Sequence, residues 1–150
     1  MQRDPSCIFC RIIDGEAEAS VVYKDDVVTA FMDIRPLTPG HLLIVPNRHA
    51  VDLAVLDDTF GSHMFVVGRQ LAQALRGSGL RCEGVNLFLA DGAVAGQTVF
   101  HCHLHVLPRF TGDGFSISFP PGYGNGGARE LLDAHASKVR AALEANRDKA

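Results

Sequence analysis

Three strands, a helix, two strands and a second helix are predicted in that order along the chain, an arrangement compatible with an α+β fold. Three observations predict it. The N-terminal third holds β-branched and aromatic runs cut by turn residues, two later stretches repeat apolar residues at helical spacing, and in His101-Cys102-His103-Leu104-His105 histidine alternates with apolar residues.

Taken in order, residues 20–23 and 27–31 are strand-forming runs separated by Lys24-Asp25-Asp26 and read as a hairpin. Pro36, Pro39 and Gly40 then break the chain before a third strand over residues 41–45, which Pro46 closes. A helix starts with Asp57 or Asp58 as N-cap, carries Phe60, Met64, Val67, Leu71 and Leu75 on one face, and ends near Gly77 and Gly79. Gly61 and Gly68 weaken it locally. Two more strands, residues 85–89 and 99–107, flank a loop of small residues. Residues 110–127, with Pro120-Pro121-Gly122 and Gly124-Asn125-Gly126-Gly127, read as a long surface loop with a short edge strand around Phe115, Ile117 and Phe119. From Ala128 the pattern is helical again, with Leu131, Leu132, Val139 and Leu143 expected to face inward.

The chain has 150 residues, the usual size of one domain, and no internal repeat or linker divides it. Its 47% hydrophobic and 21% charged residues are ordinary for a globular protein, and no apolar run approaches the length that spans a bilayer. Residues 1–6 lack the apolar stretch of a secretory signal, so a cytoplasmic location is expected, and the four cysteines are read as thiols or metal ligands rather than disulfides. A net charge of −3 gives no electrostatic footprint for a polyanion. Neither nucleic acid nor membrane is therefore expected as a partner.

A strand sends alternate side chains to opposite faces, so the three imidazoles share one face while Phe100, Cys102, Leu104 and Val106 take the other. Just before them, Ala90-Asp91-Gly92-Ala93-Val94-Ala95-Gly96-Gln97-Thr98 is a loop in which backbone N–H groups can converge on an anion. Histidines beside such a loop point to phosphate chemistry; the plain alternative is a half-buried strand with a histidine solvent face. Cys7-x-x-Cys10 is open to redox, metal-binding and incidental readings. A redox pair normally opens a helix after a strand, whereas zinc needs two further ligands, for which His49 and His101 are available. Cys82 and Cys102 lack partner spacing and read as buried apolar groups.

Together these residues resemble the histidine triad (HIT) superfamily. The alternating histidines match its active-site strand, with Ala95-Gly96-Gln97-Thr98-Val99 before them and Pro108-Arg109 after. Cys7-Ile8-Phe9-Cys10, Asp33-Ile34-Arg35-Pro36, Pro39-Gly40-His41 and Val45-Pro46-Asn47-Arg48-His49 follow the family's order. The match covers roughly residues 7–109. It implies a single domain over 1–150, with 110–150 as a C-terminal loop and helix, and a mainly antiparallel five-stranded sheet with two main helices. It further implies a homodimer that binds purine nucleotides and cleaves them at the α-phosphorus.

Carried over residue by residue, the resemblance makes His103 the nucleophile of a covalent nucleotidyl-histidine. His105, His41 and Thr98 become the groups that hold phosphate oxygens, helped by the Gly96 N–H, with Gln97 in the same nucleotide-binding loop. Asp33 becomes the acceptor for the ribose hydroxyls, and Phe9, Ile12, Phe31 and Ile34 wall the purine. Cys7, Cys10, His49 and His101 become a structural zinc site, with no cofactor needed for catalysis. The implied activity is a phosphoramidase-type hydrolase or nucleotidyl transferase. Alternatives are a dinucleoside polyphosphate hydrolase, a weakly catalytic nucleotide sensor, and a catalytic zinc held by His101, His103 and His105 together. One position departs from the pattern: Ala90 stands where relatives commonly carry an asparagine or glutamine beside the phosphate, and a methyl group cannot donate a hydrogen bond.

Overall fold

Asp25 decides where the chain first reverses. Its Oδ1 accepts the N–H groups of Val27 and Val28 at 2.8 and 2.7 Å, and its Oδ2 accepts the Tyr23 hydroxyl at 2.7 Å and lies 2.6 Å from Nε2 of His63. Burial opposes its charge, yet these partners hold the carboxyl well below the usual range. In this computed structural model, which describes residues 3–147, that turn joins β1 (Val21–Lys24) to β2 (Val28–Met32) as the sequence predicts.

Beyond the hairpin come β3 (Leu42–Pro46), β4 (Gly84–Leu89) and β5 (Leu104–Arg109), forming one sheet in the order β1-β2-β3-β5-β4. Every neighbouring pair is antiparallel. The register aligns Ala30, Ile44, Leu104 and Leu89 across four strands, and one residue further along aligns Phe31, Leu43, His105 and Phe88. Side chains alternate, so the first row faces one side and the second row the other.

The first side is covered by α2 (Asp58–Gly77), whose N-terminus is capped by the Asp57 side chain accepting from the Thr59 N–H at 2.9 Å. Met64, Val67, Ala72 and Leu75 of α2 bury against Val28, Ala30, Leu42, Ile44 and Val106. The three larger α2 side chains contribute about 1.5–3 kcal/mol each. Gly68, a weak point by propensity, is where a Cβ would come within 3.2 Å of Leu104, so the glycine lets helix and sheet approach closely. On the second side lies α1 (Ile8–Ile13), a helix the sequence reading did not include, whose Phe9, Cys10 and Ile13 pack with Phe31, Leu43 and Val45.

The final strand begins at Leu104, not at residue 99. Extending its pairing with β3 would set Cys102 opposite Pro46, which has no N–H to donate, and the Pro46 carbonyl is already taken by Nε2 of His101 at 2.9 Å. Instead, Cys102 N–H binds the Ala50 carbonyl at 2.7 Å. The expected edge strand near Phe115 is absent among the described residues. Asp113 accepts from Arg109 Nε at 2.6 Å and from the N–H groups of Phe110 and Phe115, folding that stretch into a turn.

Residues through Phe115 form one compact unit and those from Ser116 onward a second, which contains α3 (Arg129–Arg147). Leu131, Leu132, Val139 and Leu143, expected inward, are all exposed. A unit of one helix and a glycine-rich loop contains no second layer for them to pack against.

Gly40 precedes β3 with φ +92°, and a Cβ there would sit 2.9 Å from Leu80 Cδ1 and 3.3 Å from Pro108 Cγ. Gly40→Ala is therefore expected to lower stability by about 1–3 kcal/mol through backbone strain and overpacking. Urea denaturation measures it; an unchanged midpoint would contradict the crowding.

Candidate active site

His103 is fixed by its neighbour's backbone. Its Nδ1 lies 2.7 Å from the His101 carbonyl, an acceptor only, so Nδ1 carries the proton and Nε2 keeps a free lone pair. The ring is buried, edge-on to Phe9 at 5.3 Å between centroids. His105 stacks on Phe88 at 4.2 Å and 13°, and its Nδ1 lies 2.9 Å from Nε2 of His41. The Leu37 N–H donates to Nδ1 of His41 at 3.3 Å, which assigns the proton of His41 to Nε2 and leaves His105 with an N–H at Nε2. A relay of fixed tautomers thus runs from Leu37 through His41 to His105.

Both imidazoles of this relay are uncharged at neutral pH. Burial lowers His41 despite Asp33, whose Oδ2 lies 3.6 Å from Nδ1. Burial, reinforced by His103 and His41, lowers His105 to about 4. The relay presents a neutral donor instead of an imidazolium.

These groups border a cleft of about 630 Å³. Of the residues proposed from sequence, Phe9, Ile12, Phe31, Asp33, Ile34, Thr98, His103 and His105 all line it. Ile34 sits at the mouth, 93% exposed, while His41 lies behind His105 at 1%. Sequence reasoning missed Phe88, Leu43 and Val99. The alternation of β4 could have placed Phe88, since its register sets it opposite His105.

The glycine-containing loop differs from the expected anion nest. Residues Ala93–Ala95 form a 3-10 turn, with Gly92 and Gly96 at φ 85° and 94°. The N–H groups of Ala95, Gly96 and Gln97 all bond carbonyls within that turn, at 3.0–3.1 Å. Gln97 closes the loop: its Oε1 accepts from the Gly92 N–H at 2.8 Å, and its Nε2 donates to the carbonyls of Val51 and Val99. Neither Gly96 nor Gln97 lines the cleft. Turn closure takes the donors that the sequence reading assigned to phosphate and leaves Thr98 as the loop residue facing it. Ala90 is buried at the end of β4 and does not line the cleft.

Cys7, Cys10, His49 and His101 converge so that one ligand atom from each lies within 4.8 Å of the others. Nδ1 of His101 is 3.4 Å from the Cys7 sulfur and 3.6 Å from that of Cys10, which is 3.3 Å from Nδ1 of His49. The donor set fits a tetrahedral metal ion, and its surroundings agree. Nε2–H of His101 is held by the Pro46 carbonyl, leaving Nδ1 as the ligating lone pair, and the Asp4 N–H donates to the Cys10 sulfur at 3.4 Å. His101, His103 and His105 share no common ligand point among the described residues, which removes the three-histidine metal site.

Fold and site define a small α+β protein with an imidazole relay beside an apolar cleft. The family model described as "HIT domain" matches residues 14–112, and the chain belongs to that histidine triad family. An uncharacterised HIT-like protein of Borreliella burgdorferi is 47% identical over 112 residues, 74% of this chain and 81% of the relative. A zinc-bound histidine triad family protein from Mycobacterium smegmatis is 42% identical, with a TM-score of 0.72, covering 91% of this chain and 97% of that one. A histidine triad nucleotide-binding protein from Candida albicans is 27% identical, with a TM-score of 0.81, covering 93% and 98%.

Burial lowers His101 and His105 each to about 4, so an unfolded imidazole, titrating near ~6.5, takes a proton before the native rings do. The contribution of these two rings is then constant above about pH 6.5 and is lost as pH drops from there to about 4, while Asp25 and Asp113, held below the usual range, add their loss only beneath about pH 4. For chelator-treated protein the urea midpoint is expected to be lower at about pH 4.5 than at about pH 7.5. Equal midpoints would contradict the buried neutral rings.

Proposed function

We propose that the protein is a nucleotide hydrolase or nucleotidyl transferase acting at the α-phosphate of a purine nucleoside phosphoramidate through a covalent intermediate on His103. The observation that carries this reading is the bond from His103 Nδ1 to the His101 carbonyl, which leaves Nε2 bare at the cleft. The lone pair of Nε2 attacks phosphorus, the bond from phosphorus to the leaving nitrogen breaks, and the departing amine keeps that electron pair and takes a proton from solvent water. The imidazolium formed is stabilised by its Nδ1–H on the carbonyl. Water then attacks phosphorus and releases a proton to solvent, the P–N bond to His103 breaks with its electron pair returning to Nε2, and the ring is neutral again.

His105 donates its Nε2–H to a phosphate oxygen, and Thr98 adds a hydroxyl. Preorganised dipoles in a buried site stabilise developing charge without reorganising, so a neutral donor serves here. Asp33 already accepts the Arg35 N–H at 2.8 Å on Oδ1 and has lone pairs left for ribose hydroxyls. Phe9, Ile12, Phe31 and Ile34 supply an apolar wall suited to a purine. Zinc is the metal that the Cys2His2 set favours, and in this reading it is structural. A homodimer and a cytoplasmic location complete the reading by resemblance to the family.

Hydrolysis of dinucleoside polyphosphates is less well supported. Arg109, the cation that ends β5, is engaged by Asp113, by Asn86 at 2.6 Å and by the Phe115 ring, so its charge is not free for extra phosphates. Turnover of a phosphoramidate is expected to exceed that of a diadenosine polyphosphate in parallel assays.

His103→Ala is expected to lower kcat by about three orders of magnitude or more, while GMP or AMP binding persists because the cleft wall and His105 remain. Mass spectrometry of quenched wild-type enzyme should find a nucleotide on His103; an active preparation with the adduct on another side chain, or with none, would overturn the mechanism. Since burial lowers His105 to about 4, protonation of His105 should add no limb to kcat/KM above about pH 5. A limb there that His105→Asn removes would mean that this ring itself titrates.

A further inference from the structure

Helix α1 has six residues, less than two turns, whereas isolated helices need about 12–15 residues to persist in water. Its N-cap side chain makes no capping hydrogen bond. Its position must therefore come from what it touches: Ile13 packs against the sheet and its carbonyl accepts from Lys24 Nζ at 2.6 Å, and the rest of the segment borders two sites. Cys7 and Cys10 face His49 and His101 in the Cys/His cluster. Ile8, Phe9 and Ile12 line the cleft, where the Phe9 ring lies 5.5 Å from Phe31 and 5.3 Å from His103.

A second connection runs through the backbone. His101 directs its ring to the two sulfurs and its carbonyl to Nδ1 of His103, 2.7 Å away. The cluster thus holds both the apolar wall of the cleft and the residue that aims the proposed nucleophile.

We infer that Cys7 and Cys10 are positioning residues for the nucleotide: a divalent metal ion in the cluster fixes α1 against the sheet, so metal and nucleotide bind cooperatively. The inference rests on the nucleotide reading above for the ligand of the cleft. Such coupling is reciprocal, because a metal that raises nucleotide affinity by some factor has its own affinity raised by the same factor. A factor of about ten lies within the usual range for coupled sites.

The test is calorimetric titration of GMP into zinc-loaded and chelator-treated protein, with zinc affinity measured against a chromophoric chelator with and without saturating GMP. About tenfold tighter GMP binding to the zinc-loaded protein, and about tenfold tighter zinc binding in the presence of GMP, are expected. Cys10→Ala should bind GMP like the metal-free protein and not respond to zinc, and Cys82→Ala should behave as wild type. Equal GMP affinity with and without bound zinc would overturn the inference and leave the nucleotide reading standing. So would a zinc stoichiometry near zero, or loss of the sheet's circular dichroism signal on chelation, since the coupling would then be global unfolding. Failure of GMP to bind the zinc-loaded protein would overturn both.

Discussion

The ring of His101 is held at both of its nitrogens, and much of the molecule's second face depends on that. Nε2 binds the carbonyl that ends β3, Nδ1 faces the sulfurs of Cys7, at the start of α1, and Cys10, within it, and the residue's own carbonyl orients His103. One fully buried side chain therefore ties the end of a strand, the N-terminal helix and the proposed nucleophile to one another. Burial lowers its pKa to about 4, which keeps it neutral and free to present a lone pair to a cation.

The electrostatic design relies on dipoles. The cleft lining carries Glu18, Asp33 and Arg35 as its acidic and basic side chains, and of these Asp33 acts on His105, too weakly to offset burial. Fixed N–H groups there can be worth more than in water, because the surroundings are apolar and already oriented. The stack of His105 on Phe88 and its bond to His41 immobilise that ring before any ligand arrives.

Features set by local sequence are legible in it. Apolar, β-branched and aromatic runs bounded by turn residues locate four strands to within a residue or two, Lys24-Asp25-Asp26 marks the hairpin, and Met64, Val67 and Leu75 mark the buried face of α2. Features set by distant partners were not legible. The start of β5 is decided by Pro46, far away in sequence, and α1 is too short for periodicity to announce. The Gly96 and Gln97 donors looked available because composition does not tell that a turn will consume them. Leu131, Leu132, Val139 and Leu143 were misread because an apolar stripe names a face without naming what covers it. The eight residues that gather in the cleft came from motif order; geometry added Phe88 and the tautomer relay.

The cleft is built from two kinds of scaffold. His105 is held in the ladder that also carries Leu43, whereas the apolar wall comes largely from a six-residue helix and the exposed Ile34. Substitutions at Ile8, Ile12 or Ile34 can reshape that wall without touching the strand pairings that aim the imidazoles. Drift at a few rim positions can therefore change what the wall admits, while the geometry of the imidazoles is inherited intact.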